Sequence, residues 1–286
     1  MAFIETKDLT YTYPGGTKPS ISDVSIKVKK GEFVLITGPS GCGKTTLCRC
    51  FNGLIPHFYQ GELKGEMTVA ELDVTKHPTY EMAKHVGLVF QNPENQLFAL
   101  SVEKDVAFGL ENLGVPREEM EKRVEWALNL AGIYDLRERS PHEVSGGQQQ
   151  RVAIATVLAM QPEIIVLDEP TSFLDPLSAE KIFEVIHELN NKLGITVVLV
   201  EHRLDLTAKY ANHIIIMDGG KVCFDGETRE VLSTEEARLV GVGIPKATLL
   251  YQMLRKDGMP LGNVSPLSSD EMSALLLEAL KPDDRS

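Results

Sequence analysis

The chain has 286 residues, a length that indicates about two domains. Hydrophobic residues make up 43% of it and charged residues 24%, which is typical of a folded globular protein and excludes a mostly disordered chain. The net charge of −12 argues against a nucleic-acid partner, because phosphate backbones bind concentrated Lys and Arg.

Alternating apolar and polar residues near the N-terminus predict half-buried, antiparallel strands. The apolar positions are Leu9, Tyr11 and Tyr13 in the first stretch and Val24, Ile26 and Val28 in the second. Continuous apolar runs follow, which are typical of central strands in a sheet covered by helices on both faces. These runs are residues 33–36, 86–90, 164–167, 196–200 and 214–217.

Apolar stripes with helical spacing lie between these runs. They are Leu47, Cys50, Phe51 and Leu54; Val124, Ala127, Leu128 and Ala131; and Ile182, Ile186, Leu189 and Leu193. The alternation of strands and helices predicts an α/β fold with a largely parallel sheet. Residues 92–160 lack a strand pattern and predict a helical insertion beside the sheet, with one helix over residues 150–160.

The chain changes character after about residue 228, and residues 229–286 are predicted to form a small, mainly helical appendage. S-x-x-E capping boxes at residues 233–236 and 268–271 would start two helices. Pro245 would open another helix that ends near Gly258. The last helix carries an apolar stripe, which consists of Met272, Leu275, Leu276, Ala279 and Leu280.

Apolar runs of about five residues are far shorter than the roughly 20 residues that a membrane helix needs. The first ten residues contain Glu5 and no basic cluster, so we expect no signal peptide. Cys42, Cys48 and Cys50 lie too close together to suit a disulfide framework. We therefore expect a chain that works in a reducing cytosol and reaches a membrane only through other chains.

The most specific motif is a glycine-rich run between the strand predicted at residues 33–36 and the helix that contains Leu47. It matches G-x-x-x-x-G-K-[ST] and consists of Gly38, Pro39, Ser40, Gly41, Cys42, Gly43, Lys44 and Thr45. Its backbone N–H groups would surround phosphates at a helix N-terminus. Lys44 is expected to reach the β- and γ-phosphates, and the Thr45 hydroxyl to ligate Mg²⁺. A glycine-rich turn with a solvated lysine is the less favoured alternative.

Two further stretches carry acids and small polar residues. Asp168 and Glu169 end an apolar strand, at the sheet edge where α/β proteins bind ligands. Asp168 suits a Mg²⁺ ligand and Glu169 is placed to polarise an attacking water, whereas two solvated acids are the alternative. A second anion site is predicted before a helix, although the same run taken alone favours a plain N-cap. It consists of Ser145, Gly146, Gly147 and Gln148.

In this order, the glycine-rich run, the V-S-G-G-Q signature at residues 144–148 and the I-I-V-L-D-E-P run at residues 164–170 resemble ATP-binding-cassette (ABC) ATPases. The resemblance covers residues 1–228. It implies a P-loop, RecA-like core with an N-terminal antiparallel β subdomain and an α-helical subdomain at about residues 92–160. It also implies ATP and Mg²⁺ as cofactors, with ATP-binding positions that extend to Thr46.

The family's residue roles carry over to matching positions. Tyr13 resembles the aromatic residue that stacks on adenine, while its rival Tyr11 is expected to pack in the core. Gln91 resembles the Q-loop glutamine that senses Mg²⁺, water and the membrane partner. Asp175 resembles the D-loop aspartate, and His202 the switch histidine at the γ-phosphate.

Catalysis is assigned to Glu169, His202 and Lys44, and Mg²⁺ binding to Thr45, Gln91 and Asp168.

Two positions depart from the family pattern. Phe173 lies in the D-loop where a small residue is commoner, and Val144 replaces the usual leucine of the signature.

In this family, the signature of one cassette completes the P-loop site of another, which implies a second ATPase chain, either an identical copy or a related paralogue. Residues 91–98 and 102–109 are similar to energy-coupling-factor (ECF) ATPases, which power vitamin and cobalt or nickel uptake. This closer resemblance implies a transmembrane coupling protein and a substrate-binding membrane protein as partners. It also implies a place at the cytoplasmic face of the membrane and a tail that helps to pair the ATPases.

Other functions compete with this interpretation. The chain could be the ATPase of another ABC importer class. Soluble ABC proteins of DNA repair insert long coiled coils between the P-loop and the strand that ends in Asp168, but no sustained heptads lie there. Translation forms carry two cassettes in one chain. A nucleotide-gated dimer that does not hydrolyse ATP is disfavoured by Glu169.

Overall fold

The computed structural model describes residues 2–280, so Met1 and residues 281–286 of the predicted appendage lie outside the described residues. The strands are β1 (Ala2–Thr12), β2 (Ile21–Val24), β3 (Lys27–Lys29), β4 (Phe33–Thr37), β5 (Glu62–Val69), β6 (Leu72–Asp73), β7 (Val86–Val89), β8 (Ile164–Asp168), β9 (Thr196–Val200), β10 (His213–Asp218) and β11 (Lys221–Glu227). The helices are α1 (Lys44–Phe51), α2 (Leu54–His57), α3 (Thr79–Met82), α4 (Val102–Asn112), α5 (Arg117–Leu130), α6 (Gly146–Ala159), α7 (Pro176–Leu193), α8 (Leu204–Thr207), α9 (Thr228–Leu232), α10 (Glu235–Leu239), α11 (Lys246–Lys256) and α12 (Ser269–Ala279).

The five predicted apolar runs form the parallel part of a central sheet, which confirms the α/β fold. The strand order is β11-β10-β4-β9-β8-β7, and β10 to β7 along this order are parallel, with β11 antiparallel at the edge. Phe33 and Leu35 of β4 face one hydrophobic core, whereas Val34 and Ile36 face another. A strand buried on both faces needs apolar residues at every position, which explains the continuous runs.

The predicted antiparallel N-terminal sheet is also present. The strand β1 pairs with β2, β3 and β5, and β6 extends the sheet. The prediction of one strand through Val24 and Val28 is wrong. The Thr6 hydroxyl donates to the Val24 carbonyl oxygen at 2.8 Å and accepts from the Ile26 amide at 3.1 Å, so a side chain interrupts the backbone pairing.

The segment at residues 92–160 contains α4, α5 and α6, as predicted. The helix α6 starts four residues earlier than the predicted start at Gln150. Ser145 is its N-cap, because the Ser145 hydroxyl accepts from the Gln148 amide while the Gln148 side chain accepts from the Ser145 amide at 2.9 Å. This reciprocal pair starts the helix in spite of two glycines at its first positions.

The tail is helical, as predicted, but its first capping box is misplaced. Thr234 rather than Ser233 caps α10, since its hydroxyl accepts from the Ala237 amide at 3.3 Å. Ser268 caps α12 as predicted, although the Glu271 carboxylate pairs with Arg229 instead of closing the box. Four residues of the predicted stripe, Met272, Leu275, Leu276 and Ala279, pack with α11 in a small cluster around Tyr251 and Leu261. The prediction is wrong for Leu280, which is 67% exposed because it follows the end of α12.

Candidate active site

The predicted site residues follow the carboxyl ends of neighbouring parallel strands. The glycine-rich run follows β4, Gln91 follows β7, Glu169 follows β8 and His202 follows β9. Because β7, β8, β9 and β4 are adjacent, these loops emerge at one edge of the sheet. Ligands of open α/β sheets bind at this edge.

The glycine-rich run takes a conformation that side chains would prevent. Gly38 has a φ of +145° and Gly43 a φ of +105°. A Cβ atom would lie 2.0 Å from the Met217 carbonyl oxygen at Gly38 and 2.5 Å from the Ser20 carbonyl oxygen at Gly43. Both positions therefore need glycine, which allows the loop to curl tightly in front of α1.

Lys44 begins α1, and its side chain turns back over the loop. The Lys44 ammonium donates to the carbonyl oxygens of Gly38 and Pro39, at 2.9 Å in each case. Cys42 is buried in the same loop, where burial raises the pKa of its thiol against the opposing effect of Lys44. A cationic group and the N-terminus of a helix therefore meet in one loop, which favours an anion such as phosphate.

Glu169 is the centre of a hydrogen-bonded cluster. Gln91 Nε2 donates to Glu169 Oε2 at 2.8 Å, and His202 Nε2 lies 3.0 Å from Glu169 Oε1. The Ser172 hydroxyl lies 3.3 Å from Glu169 Oε2. The structure thus brings together three residues that the sequence selected, and adds Ser172, which it did not.

The backbone of Glu169 helps to aim this carboxylate. Its φ of +49° is in the left-handed region, which is uncommon for a residue other than glycine. The Glu169 amide donates to the Val200 carbonyl oxygen of β9 at 3.0 Å, which fixes the turn. A strained residue at a cluster of polar side chains is a typical feature of functional sites.

Asp168 lies beside the glycine-rich run and is only 3% exposed. Burial raises its pKa, and the Thr45 side chain opposes that shift. Within residues 2–280, Asp168 Oδ1 is buried without a hydrogen-bond partner. An unpaired buried carboxylate oxygen beside a hydroxyl fits a hard divalent cation such as Mg²⁺. Among the described residues, no group of three or more His, Cys, Asp and Glu side chains is placed to hold a metal ion.

The two candidate adenine-binding tyrosines differ in their surroundings. Tyr11 is fully buried and its hydroxyl donates to the Gln60 carbonyl oxygen at 2.8 Å, as expected of a core residue. Tyr13 is half-buried just after β1, and its hydroxyl lies 3.4 Å from that of Thr46. Arg49 donates to the Tyr13 hydroxyl at 2.9 Å, a contact that no sequence pattern indicated.

The signature and the D-loop form a second group. Ser145, Gly146, Gly147 and Gln148 line a cavity of about 660 Å³ together with Phe173 and Asp175. Asp175 caps α7, and hydrogen bonds from Ser178 lower the pKa of its carboxyl. This group presents the N-terminus of a 14-residue helix, which is a second site suited to an anion.

Comparisons with known proteins point to one family. Residues 21–172 match the family described as ABC transporter. A protein of Pyrococcus abyssi with the provisional name ABC transporter ATP-binding protein is 44% identical over 98% of this chain and 100% of its own length. The energy-coupling factor transporter ATP-binding protein EcfA of Methanocaldococcus jannaschii is 44% identical, over 91% of this chain and 92% of its own. A provisionally named relative from Methanosarcina acetivorans is 45% identical, but the chain spans only 42% of its length.

Two solved structures have the same fold. One is cbiO1 from Clostridium perfringens, which is part of the ABC transporter complex cbiONQ. It has a TM-score of 0.73 and 33% identity over 88% of this chain and 99% of that chain. The other is a dimeric ATP-binding cassette in a post-hydrolysis state bound to ADP and Pi. It has a TM-score of 0.70 and 32% identity over 79% of this chain and 99% of that chain.

Proposed function

Because the chain belongs to the ABC transporter family as an ATP-binding, ATP-hydrolysing subunit, we propose that it powers an ECF-type importer that takes up a vitamin or a transition-metal ion. Its similarity to EcfA and to the cbiO1 cassette supports this class. The Q-N-P-E-N-Q-L-F run at residues 91–98 is the local feature that supports it. Another ABC transporter class is the alternative.

The chemistry is carried by the cluster around Glu169. Gln91 and His202 each contact one oxygen of its carboxylate, so both oxygens are held in fixed directions. A carboxylate held in this way can orient and polarise a water molecule, which is the role of the base in ATP hydrolysis. We assign this role to Glu169 and place His202 beside the γ-phosphate.

The glycine-rich run supplies the binding of ATP. Its backbone N–H groups and Lys44 surround the phosphates, and Thr46 and Tyr13 lie next to each other at its far end. Thr45 and Asp168, with Gln91 nearby, are the residues that would hold Mg²⁺. The bound ion would neutralise charge that develops on the phosphate oxygens.

A second ATPase chain is needed to complete the site. The signature residues line their own cavity with the D-loop, at the N-terminus of a different helix from the one that follows the P-loop. ATP clamped between the P-loop of one chain and Ser145, Gly147 and Gln148 of another would satisfy both anion sites. The partner is an identical copy or a paralogue.

The membrane partners would dock in a groove of about 580 Å³ between α4, α6 and the central sheet, here called the Phe98 groove. It is lined by Tyr80, Phe98 and Phe108, and Tyr80 and Phe98 are 69% and 62% exposed. Asp105 lies in its wall, and in the described part of the chain its Oδ2 atom is buried without a partner. Such a groove suits a helix of a membrane protein that presents apolar side chains.

None of the helices in residues 2–280 combines the length and apolar character that crossing a bilayer requires. We propose that the chain is held at the cytoplasmic face of the membrane through the Phe98 groove.

Replacement of the base tests the chemistry. Glu169→Gln should lower ATP turnover by roughly 10²–10⁴-fold, the usual contribution of a general base. ATP binding should persist, and the ATP-bound dimer should accumulate in light scattering. Glu188→Gln, on the exposed side of α7, is the matched control and should turn over ATP like the wild type. Near-normal turnover by Glu169→Gln would refute the assignment.

The adenine site is tested with two tyrosines. Tyr13→Ala should weaken ATP binding by roughly 1–3 kcal/mol, the usual contribution of stacking on a base. Tyr13→Phe keeps the ring and should retain affinity. Tyr11→Ala should instead lower the free energy of unfolding by about 3–5 kcal/mol, because it leaves a large cavity. Calorimetric titration with ATP and urea unfolding measure the two effects, and a loss of affinity in Tyr11→Ala alone would reverse the assignment.

The tail, residues 229–286, is proposed to pair the ATPases, and its exposed face allows a direct test. Leu232 and Leu267 belong to the main hydrophobic core, so deletion of the tail would expose apolar core residues of the cassette to water. Point substitutions on the tail surface avoid this effect. Met253 and Leu277, by contrast, are 58% and 68% exposed. Met253→Glu and Leu277→Glu should lower the dimer fraction in nucleotide-free light scattering, because an interface would bury an unpaired charge.

Leu193→Glu, at a position that is 60% exposed on α7, is the control for this test. The partner chain is included if the native pair is mixed. Dimers that persist in both tail variants would show that the tail only covers its own cassette.

The importer class is tested by purification from native membranes. The tagged chain should bring down a coupling protein together with a small substrate-binding membrane protein. Phe98→Glu should lose both, because it puts a charge in the apolar groove. Recovery of a different pair of membrane proteins would favour the alternative ABC transporter class, and full recovery with Phe98→Glu would refute the groove.

A further inference from the structure

The two loops beside the Glu169 cluster are tied to each other by three side chains. One loop, residues 169–175, connects β8 to α7, and the other, residues 201–203, follows β9. Thr171, Glu201 and Arg203 connect them, and we call this group the brace. Thr171 is fully buried, and the Glu201 side chain is only 5% exposed.

Glu201 occupies the centre of the brace. Its Oε2 atom accepts from the Thr171 hydroxyl at 2.8 Å. Its Oε1 atom accepts from the backbone amides of His202 and Arg203, at 3.2 Å in each case. One carboxylate therefore holds the backbone beside the switch histidine and a side chain of the opposite loop.

Arg203 connects the same two loops from the other side. Its Nε atom donates to Glu201 Oε1 at 3.3 Å, and its Nη2 atom donates to the Thr171 carbonyl oxygen at 2.6 Å and also contacts the Thr171 hydroxyl. Its Nη1 atom lies 3.5 Å from the Leu174 carbonyl oxygen, one residue before Asp175. The planar guanidinium thus contacts both ends of the 171–174 turn, a geometry that a lysine ammonium could not reproduce.

A carboxylate this deeply buried is stable only when its charge and its oxygens are paired. Arg203 balances the charge, and Thr171 with two backbone amides satisfies the oxygens. Separation of the two loops would break the Thr171–Glu201 hydrogen bond and the contacts of Arg203 with the Thr171 and Leu174 carbonyl oxygens at the same time. The loops are therefore expected to move as one body or not at all.

We propose that Glu201 and Arg203 are positioning residues for ATP hydrolysis, which keep His202 in fixed register with Glu169 and with the loop that leads to Asp175. The proposal rests on the function proposed above for Glu169 and His202. Neither residue reaches the P-loop or Tyr13 through the contacts described. Loss of the brace should therefore impair the chemical step and leave ATP binding intact.

Arg203→Met tests this, because it removes the contacts of the guanidinium with the other loop while Glu201 keeps the Thr171 hydroxyl and two backbone amides as donors. Its kcat should fall by about 10- to 100-fold, as expected when reacting groups are misplaced, while KM for ATP changes by less than about twofold. Hydrogen–deuterium exchange should become about tenfold faster at the amides of both Leu174 and His202. The double variant Glu201→Gln/Arg203→Met removes both charges, so it leaves no unpaired buried carboxylate that could prevent folding. It should show the same lower kcat with a nearly unchanged KM.

Lys209→Met is the matched control. It breaks the ion pair between Lys209 Nζ and Glu180 Oε1, which are 2.7 Å apart. The Lys209 side chain is 26% exposed and that of Glu180 is 37% exposed, which is close to the 34% exposure of the Arg203 side chain. Lys209→Met should leave kcat and both exchange rates unchanged. Three results would each overturn the proposal. The first is a kcat of Arg203→Met equal to that of Lys209→Met. The second is a rise in the KM of Arg203→Met as large as its fall in kcat, and the third is faster exchange in only one of the two loops. A wild-type chain without ATP turnover would refute the proposed function, whereas the exchange rates would still decide whether the brace joins the loops.

Discussion

The active-site geometry depends on the register of the parallel strands β8 and β9. Asp168 pairs with Val200 at the carboxyl end of this ladder, and the Glu169 amide continues it with a hydrogen bond to the Val200 carbonyl oxygen. Glu169 and His202 therefore follow their strands at the same level of the sheet, and His202 Nε2 lies 3.0 Å from Glu169 Oε1. A shift of one residue would turn every side chain of the strand to the other face. Since β8 and β9 are buried on both faces, such a shift would also disrupt two cores at once.

The chain divides its anion-binding elements between two helices. The helix α1 follows the glycine-rich run, while α6 presents Ser145 from the helical segment. Each helix N-terminus carries roughly half a positive charge that acts over about one turn. Because this effect has a short range, both helices can stabilise the same phosphate group only if the N-termini of α1 and α6 lie close to it. In the proposed dimer, closure between two chains would provide that convergence and would couple ATP binding to movement of the membrane partners.

The features that the sequence predicts depend on contiguous residues, whereas most of the features that it does not predict depend on particular side-chain contacts. The central strands and the glycine-rich run follow from contiguous residues, since burial on both faces or a tight phosphate loop restricts each position in turn. The start of α6 was missed because consecutive glycines have poor helix propensity, and only the side-chain pair of Ser145 and Gln148 starts the helix there. β5 was missed because most of its residues are exposed and polar. Arg49 and the contacts of the brace between its two loops join distant segments, which leave no periodic signal in the sequence.

A chain with a net charge of −12 binds a polyanionic nucleotide because electrostatic interactions in salt have a short range. At physiological ionic strength, exposed charges are largely screened beyond about 8 Å. The acidic residues on distant surfaces therefore add little to the potential at the glycine-rich run. There, Lys44 and the N-terminus of α1 contribute positive charge close to the loop. The same acidic surface opposes extended polyanions, which must contact many sites at once.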